Sequence, residues 1–281
     1  MIIWLASYPK SGNTWVRAII ASLLYSNDGN FNFEIIKKIK QFPIKENFKD
    51  IMNDFDDFNE IKKNWITAQD SINLDNQIKI LKTHQGKYTV GKDSFTNSQN
   101  TLATIYIVRD PRTLVSSISN HFTLTLDQAS NFLITPRIIG NNKKWEENQT
   151  GIQCLLGKWN DHYRSWTRNK NDLLLIKYED LIQNPKKELE KIINFLKNYL
   201  DIDTNINKNK KIIETTSFKN LKKMEQKGLF RENAINKKDH SKVEFFHLGP
   251  ANNWKENLDE FIKNKIEKNF YKEMTELKYL E

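Results

Sequence analysis

Short apolar runs alternate along the chain with segments in which hydrophobic residues recur at helical spacing. Most of the runs are rich in aliphatic and β-branched side chains, which is typical of strands buried on both faces of a parallel sheet. The runs lie at residues 2–6, 78–84, 104–108 and 173–178. Helical spacing follows them near residues 15–24, 113–122, 157–166 and 185–196. Strands that alternate with helices predict an α/β fold with a central parallel sheet flanked by helices.

The stretches between these elements favour a single domain. Residues 27–60 and 123–150 are predicted to be irregular, and the Asn-, Lys- and Glu-rich stretch 141–148 is predicted to be a mobile loop. After residue 201 the pattern is helical and rich in lysine, and it closes with a helix near 258–278. The sequence has no internal repeat and no long linker. We therefore expect one domain over residues 1–281, with a helical final part.

Composition indicates which class of ligand and which cellular compartment to expect. The formal net charge of +9 suits an anionic ligand, but no Lys/Arg block is interleaved with aromatics, so we expect no nucleic-acid partner. The single cysteine, Cys154, excludes an intrachain disulfide and a cysteine-rich metal site, and beside two leucines it is expected to be a small core residue. No leader pattern and no run of 18 apolar residues is present, so a cytoplasmic protein without a membrane anchor is expected.

The segment that follows the first apolar run has the composition of a phosphate-binding loop. It reads Ser-Tyr-Pro-Lys-Ser-Gly-Asn-Thr-Trp and joins a strand to a helix, so the N–H groups of the first helical turn point into the loop. Gly12 permits close approach of the backbone, Lys10 supplies a positive charge, and Ser11 and Thr14 supply hydroxyls. The segment predicts an anion cradle. On the loop alone, a capped Ser/Gly turn with a solvated lysine is an alternative.

The order of residues in this loop differs from the common nucleoside-triphosphate loop. That loop reads G-x-x-x-x-G-K-[ST], with the lysine directly after the second glycine and an Mg²⁺-binding hydroxyl next. Here Lys10 precedes Gly12 by two positions and Asn13 follows it. The order weakens an Mg²⁺-ATP interpretation and leaves the phosphate interpretation intact.

Polar residues end two further strands. Lys82 and His84 close the second apolar run, and Arg109 follows the third. Because ligands of parallel α/β sheets bind outside the carboxyl ends of the strands, these residues are expected at the same edge as the loop after the first strand.

Four segments, in order, resemble those of the PAPS-dependent sulfotransferases, above all the cytosolic type. PAPS is 3′-phosphoadenosine 5′-phosphosulfate, and PAP is the product that remains after sulfuryl transfer. The segments are Tyr8–Trp15, Val108–Ser117, Lys177–Pro185 and Thr215–Lys223. The resemblance spans residues 8 to about 255 and implies a P-loop-like strand–loop–helix and sulfuryl transfer from PAPS to a hydroxyl, with no metal.

The resemblance implies a set of residues for the reacting end of the donor. Lys10 would contact the 5′-phosphate and the bridging oxygen, and His84 would be the general base that takes the acceptor's hydroxyl proton. Lys10, with Lys82, would neutralise the charge that grows on the leaving phosphate. The donors around the 5′-phosphate would be Ser11, Gly12, Asn13 and Thr14.

It also implies contacts to the rest of the nucleotide. Arg109 and Ser117 would hold the 3′-phosphate, and Trp15 and Phe218 would sandwich the adenine. Further residues of the base pocket and its segment would be Tyr178, Thr216, Ser217 and Leu221.

One segment departs from the family pattern. The family usually closes its 3′-phosphate site with Arg-Lys-Gly, where this chain has His247, Leu248 and Gly249. Since histidine does not replace an arginine fork, either another cation, such as Arg231 or Lys255, supplies the charge or the 3′-phosphate is held more weakly. The family's dimer motif is not recognisable, so the oligomeric state stays open.

The acceptor and two rival functions also stay open. Loops at 27–75, 123–150 and 225–246 are expected to form the acceptor pocket, for a small-molecule alcohol or a saccharide. Aromatic residues of these loops either line an apolar pocket or simply pack: Phe31, Phe33, Phe122, Phe132 and Trp145. The rivals are a P-loop kinase or NTPase that uses Mg²⁺, and a protein that binds PAP without catalysis.

Overall fold

The structure is a computed structural model that describes residues 1–140, 152–230, 232 and 241–280. Its strands are β1 (Ile2–Ser7), β2 (Lys79–Thr83), β3 (Thr89–Val90), β4 (Asp93–Ser94), β5 (Thr101–Val108), β6 (Ile138–Ile139), β7 (Cys154–Leu155) and β8 (Leu173–Lys177). Its helices are α1 (Asn13–Tyr25), α2 (Phe33–Ile36), α3 (Phe58–Lys63), α4 (Trp65–Asn73), α5 (Pro111–Phe122), α6 (Leu126–Ile134), α7 (Trp159–Thr167), α8 (Tyr178–Gln183), α9 (Pro185–Leu196), α10 (Ile206–Thr215), α11 (Phe218–Gln226), α12 (Trp254–Asn257) and α13 (Glu260–Glu276). Two short 3₁₀ turns lie at Lys45–Asn47 and Gly249–Ala251.

The central sheet has four strands in the order β2-β1-β5-β8. Strand β1 lies between β2 and β5 and is parallel to both, with Ala6 opposite Thr83 and Ser7 opposite Ile107. All six residues of β1 are buried, as expected for the middle of a parallel sheet. The predicted α/β class is confirmed. The register aligns the carboxyl ends of β1, β2 and β5 at one edge of the sheet.

Contacts divide the chain into two compact units. The first comprises Met1–Tyr8, Ile39–Ile107 and Pro136–Ile176. Its core surrounds the fully buried ring of Trp4, whose centroid lies 5.2 Å from that of Phe95 and 6.0 Å from that of Trp166. Full burial of such a side chain contributes roughly 1.5–3 kcal/mol to stability. This core fixes β1 and helix α7 against each other.

The second unit comprises Pro9–Lys38, Val108–Thr135 and Lys177–Glu281. It contains the long helices of the phosphate loop and of the final part of the chain, with α5 packed on α6 and α1 on α10. Helix α5 begins where Asp110 accepts a hydrogen bond from the Arg112 backbone N–H and Pro111 occupies the first turn. Residues 109 and 110 are thereby fixed between a strand and a helix.

The structure corrects three sequence predictions. Helix α6 occupies part of the stretch 123–150 that was predicted to be irregular; its capping box, Thr125 with Gln128, is a sequence signal for a helix start. Strand β5 begins at Thr101, three residues before the predicted run. Cys154 is only partly buried, as a free thiol on the short strand β7, and is not a core residue. The predicted mobile loop at 141–148 lies outside the described residues.

Candidate nucleotide and sulfuryl-transfer site

The backbone of the loop between β1 and α1 adopts left-handed conformations at Lys10 and Gly12. Gly12 has φ 102°, in the left-handed region, and Lys10 has φ 67°. A Cβ atom built on Gly12 would lie 2.6 Å from the Tyr178 ring, so only glycine fits there. Ser11 is fully buried, and its hydroxyl has no hydrogen-bond partner among the described residues. A buried hydroxyl in this state next to a helix start fits an anionic ligand that accepts its proton.

The Lys10 ammonium lies over an aromatic ring. Its Nζ atom is 3.4 Å from the centroid of Phe245. Phe245 belongs to a series of rings that contact one another at centroid distances of 4.7–5.9 Å. This aromatic cluster consists of Phe31, Phe33, His121, Phe122, Phe132, Phe230, Phe245 and Phe246. It contains four of the five aromatics singled out for the acceptor pocket; Trp145 lies outside the described residues.

Arg109 and Arg112 have different partners. The Arg109 guanidinium donates to the Thr113 hydroxyl at 3.0 Å and to the Lys10 carbonyl at 3.1 Å, and it stacks 4.1 Å above the Tyr178 ring. Arg109 is 5% exposed, and no carboxylate of the described residues is ion-paired with it. Arg112 instead pairs with Asp110 and Glu267, both at 2.7 Å. The first arginine is therefore buried without an ion-paired carboxylate among the described residues, although it interacts electrostatically with Glu179, and the second belongs to a structural ion pair.

The hydrogen bonds of His84 fix its tautomer. Its Nδ1 atom lies 2.8 Å from the Ser7 carbonyl oxygen, which can only accept, so Nδ1 carries the proton. The basic lone pair of the neutral ring is then on Nε2. His84 is partly exposed directly after β2, and the preceding Thr83 hydroxyl accepts from the Gln85 N–H and turns the chain. Lys82 is buried near the end of the same strand.

A second histidine, to which the sequence motifs assign no role, supports the first. His162 on α7 is fully buried; its Nε2 lies 3.0 Å from the His84 carbonyl oxygen and its Nδ1 2.9 Å from the Tyr106 hydroxyl. Burial lowers the pKa of His162 to about 4. The ring is therefore neutral at pH 7, with Nε2–H donating to His84. Helical spacing of Trp159, His162 and Trp166 on one face of α7 was the available signal.

The residues predicted to surround the adenine differ in burial and in their contacts. Tyr178 is buried, with its ring 5.8 Å from Trp15 in an edge-on contact. The Thr216 hydroxyl donates within its own helix to the Ile212 carbonyl. Phe218 covers Gly249, where an added Cβ would lie 2.2 Å from the ring. Ser217 is the N-cap position of α11, and Leu221 is buried on that helix. The adenine sandwich between Trp15 and Phe218 stays a prediction.

The other residues predicted for the 3′-phosphate site differ in their exposure to solvent and in their contacts. Ser117 is partly exposed on α5, and the hydroxyl of its neighbour Ser116 is buried without a partner among the described residues. Leu248 is partly buried. His247 is exposed, and its carbonyl accepts from Lys222 Nζ at 2.9 Å. Lys222 is thus a cation beside the segment that lacks Arg-Lys, although it is also ion-paired with Glu244 at 3.0 Å. Lys255 is exposed, and Arg231 lies outside the described residues.

The described residues lack two other kinds of feature. No group of three or more His, Cys, Asp and Glu side chains there is arranged to hold a metal ion. None of the described helices combines the length and apolar character needed to cross a bilayer.

Comparison with known proteins identifies the family. The sulfotransferase domain model matches residues 2–278. Mouse sulfotransferase 1B1 is 28% identical over 257 residues, covering 90% of this chain and 76% of the relative, and the dog 1B1 protein is 27% identical over 97% of this chain and 83% of its own. The structure of mouse sulfotransferase SULT7A1 complexed with PAP shares the fold, with a TM-score of 0.60 and 22% identity over 97% of this chain and 84% of that one. The chain therefore belongs to the sulfotransferase domain family and is a PAPS-dependent sulfotransferase.

Proposed function

We propose that residues of the second unit bind both phosphate ends of the donor. Arg109 and Ser117 bind the 3′-phosphate, and the loop that contains Lys10 binds the 5′-phosphosulfate. The observation that carries this is the buried Arg109 guanidinium, which has no carboxylate partner among the described residues. A buried charge is costly unless it is compensated, and a phosphate supplies both negative charge and oxygen atoms that can accept two hydrogen bonds from one guanidinium.

The loop fits the other end of the donor. Ser11 offers a buried hydroxyl without a protein partner, and the first amides of α1 point out of the helix start. Lys10 carries the positive charge that sulfuryl transfer needs, because negative charge grows on the bridging oxygen as the bond to sulfur breaks. On binding the donor, we expect the Lys10 ammonium to exchange its contact with the Phe245 ring for the phosphate.

His84 is proposed as the general base. With the proton held on Nδ1 by the Ser7 carbonyl, Nε2 is the atom that accepts the proton of the acceptor hydroxyl. The acceptor oxygen then attacks sulfur, the sulfur–oxygen bond to the 5′-phosphate breaks, and PAP leaves. Lys82 is assigned, with Lys10, to neutralisation of the charge on the leaving phosphate.

The acceptor is proposed to be a small molecule or saccharide that presents a hydroxyl group, and the protein is proposed to act in the cytoplasm. Retinol and androsterone are bound with PAP in two structures of retinol dehydratase, which share the fold at 18% and 15% identity. A screen of hydroxylated compounds with sulfur-labelled PAPS identifies the acceptor class. Transfer to phenols and sterols, but not to sugars, is expected if the aromatic cluster contacts the acceptor.

Nucleotide-dependent thermal stabilisation tests the donor site. PAP is expected to raise the unfolding temperature, because a ligand that binds only the native state stabilises it, whereas ATP with Mg²⁺ is expected to have little effect. Stabilisation by ATP and Mg²⁺ but not by PAP would favour the kinase or NTPase alternative. Stabilisation by PAP without any transfer to the screened acceptors would favour a PAP-binding protein.

A further inference from the structure

The segment that follows helix α13 contacts both motifs that surround Arg109. The Tyr279 hydroxyl donates to Glu179 Oε2 at 2.8 Å, and the Tyr279 carbonyl accepts from Arg112 at 2.7 Å. Lys177 donates to the Leu277 carbonyl at 2.8 Å and lies 4.5 Å from the Tyr279 ring centroid. None of these contacts involves a residue assigned to the donor or to the chemistry.

Glu179 joins this segment to the 3′-phosphate motif. Its Oε2 accepts from Tyr279, and its Oε1 accepts from the backbone N–H of Asp110 at 3.0 Å. Asp110 directly follows Arg109, and Glu179 directly follows Tyr178, the ring on which the Arg109 guanidinium lies. The Glu179 carboxylate therefore links the backbone next to Arg109 to the segment that contains Tyr178.

The remaining contacts of Arg109 couple its position to that of Asp110, which the helix cap and the ion pair with Arg112 also hold. The Thr113 hydroxyl accepts from Arg109 Nε and donates to the Asp110 carbonyl at 2.9 Å, so it links the guanidinium to the turn that contains Asp110. The Lys10 carbonyl is a single acceptor on the phosphate loop. A shift of the Asp110 peptide would thus move the guanidinium relative to the Tyr178 ring.

We propose that Tyr279 is a positioning residue for the 3′-phosphate site, acting through Glu179 to hold the Asp110 peptide and with it the guanidinium of Arg109. The proposal rests on the assignment of Arg109 to the 3′-phosphate. Without the hydroxyl, Glu179 Oε2 loses its donor, and the carboxylate gains by turning toward water and away from Asp110. Burial raises the pKa of Glu179, and the hydrogen bonds from the Asp110 and Glu179 backbone N–H groups and from Tyr279, together with the charge of Arg109, oppose that rise.

Tyr279→Phe tests the proposal, because it removes the hydroxyl and keeps the ring beside Lys177 and the carbonyl that Arg112 contacts. Binding of PAP and of AMP, which lacks the 3′-phosphate, is measured by calorimetry for the wild type and the variant. PAP is expected to bind roughly tenfold more weakly to the variant, the order expected for loss of a hydrogen bond to a charged group, with AMP unchanged. Tyr271→Phe, at an exposed tyrosine of α13, is the matched control and should leave both affinities unchanged.

Two further variants separate positioning from general loosening of the fold. Glu179→Gln keeps an acceptor for the Asp110 N–H and should bind PAP more tightly than Glu179→Ala. In an Arg109→Ala background, Tyr279→Phe should cause no further loss of PAP affinity, because the group that it positions is gone.

Equal losses of PAP and AMP affinity in Tyr279→Phe, or an undiminished preference for PAP, would overturn the positioning role while leaving the donor site standing. If the wild type itself does not prefer PAP to AMP, the assignment of Arg109 to the 3′-phosphate fails, and the role of Tyr279 falls with it.

Discussion

The Nε2 atom of His162 lies 3.0 Å from the backbone carbonyl oxygen of His84, so the ring of one histidine holds the main chain of the other. The Tyr106 hydroxyl donates to the opposite nitrogen of His162. A protonated His162 would lose this acceptor, and its charge would be buried away from water. The support of His84 therefore depends on a neutral ring.

Stability is expected to fall in acid because of His162. Its pKa is about 4 in the folded protein and near 6.5 in the unfolded chain, so between these values the unfolded state binds more protons. The contribution is complete above about pH 6.5, decreases as the pH falls toward 4, and amounts to about 3 kcal/mol. Urea unfolding at several pH values measures it. His162→Gln, which can still donate and accept, should show a shallower decrease than the wild type, and an unchanged slope would exclude His162 as the cause.

Replacement of His84 is expected to abolish most turnover without affecting the donor. A general base typically contributes about 10²–10⁴-fold, so His84→Ala should lower kcat by that order. PAP affinity, measured by calorimetry, should stay within twofold of the wild type, because no nucleotide contact is assigned to His84. Retained turnover would remove His84 from the role of base.

Gly12→Ala is expected to disrupt the phosphate loop. The left-handed conformation at φ 102° and the Tyr178 ring 2.6 Å from the new Cβ both oppose it. We expect loss of PAP binding and a lower unfolding temperature. Gly228→Ala is the matched control: φ is 74°, but nothing lies within 4 Å of the added Cβ, so only the backbone cost of about 1–2 kcal/mol applies. A Gly12→Ala protein that binds PAP normally would contradict the loop's assignment.

The two arginines of the Arg-Asp-Pro-Arg segment are expected to respond in opposite ways. Arg112→Ala leaves Asp110 and Glu267 without their shared cation and should lower the free energy of unfolding by about 3–5 kcal/mol. Arg109→Ala breaks no ion pair among the described residues and should cost little stability. Its effect should be on PAP, with a loss of about 2–5 kcal/mol of binding free energy relative to the wild type. Chemical unfolding and calorimetry on both variants separate the effects, and a reversed pattern would refute the assignment.

Much of the fold was predictable because its signals are local. The apolar runs give β1, β2, β5 and β8 within a few residues, since a strand buried on both faces, such as β1, needs no other pattern; β8 is instead only partly buried. The loop at residues 7–15 also carries its own information, because a glycine and hydroxyls before an amphipathic helix already imply a helix start that faces an anion. Helix α6 was predictable from its Thr-x-x-Gln cap and was obscured by the polar residues around it.

By itself, the sequence determined the four strands of the central sheet to within a few residues, the order of the motifs and the identity of the residues at the strand ends, because these follow from spacing along the chain. Only the tertiary structure decided which charge is compensated and which nitrogen carries a proton. Arg109 and Arg112 look alike in sequence, and Glu267 and Tyr279, which contact only the second, lie more than 150 residues away. The tie between Tyr279 and Glu179 likewise spans 100 residues. Such pairings depend on which chain segments pack together, and packing is set by the whole core rather than by any local pattern.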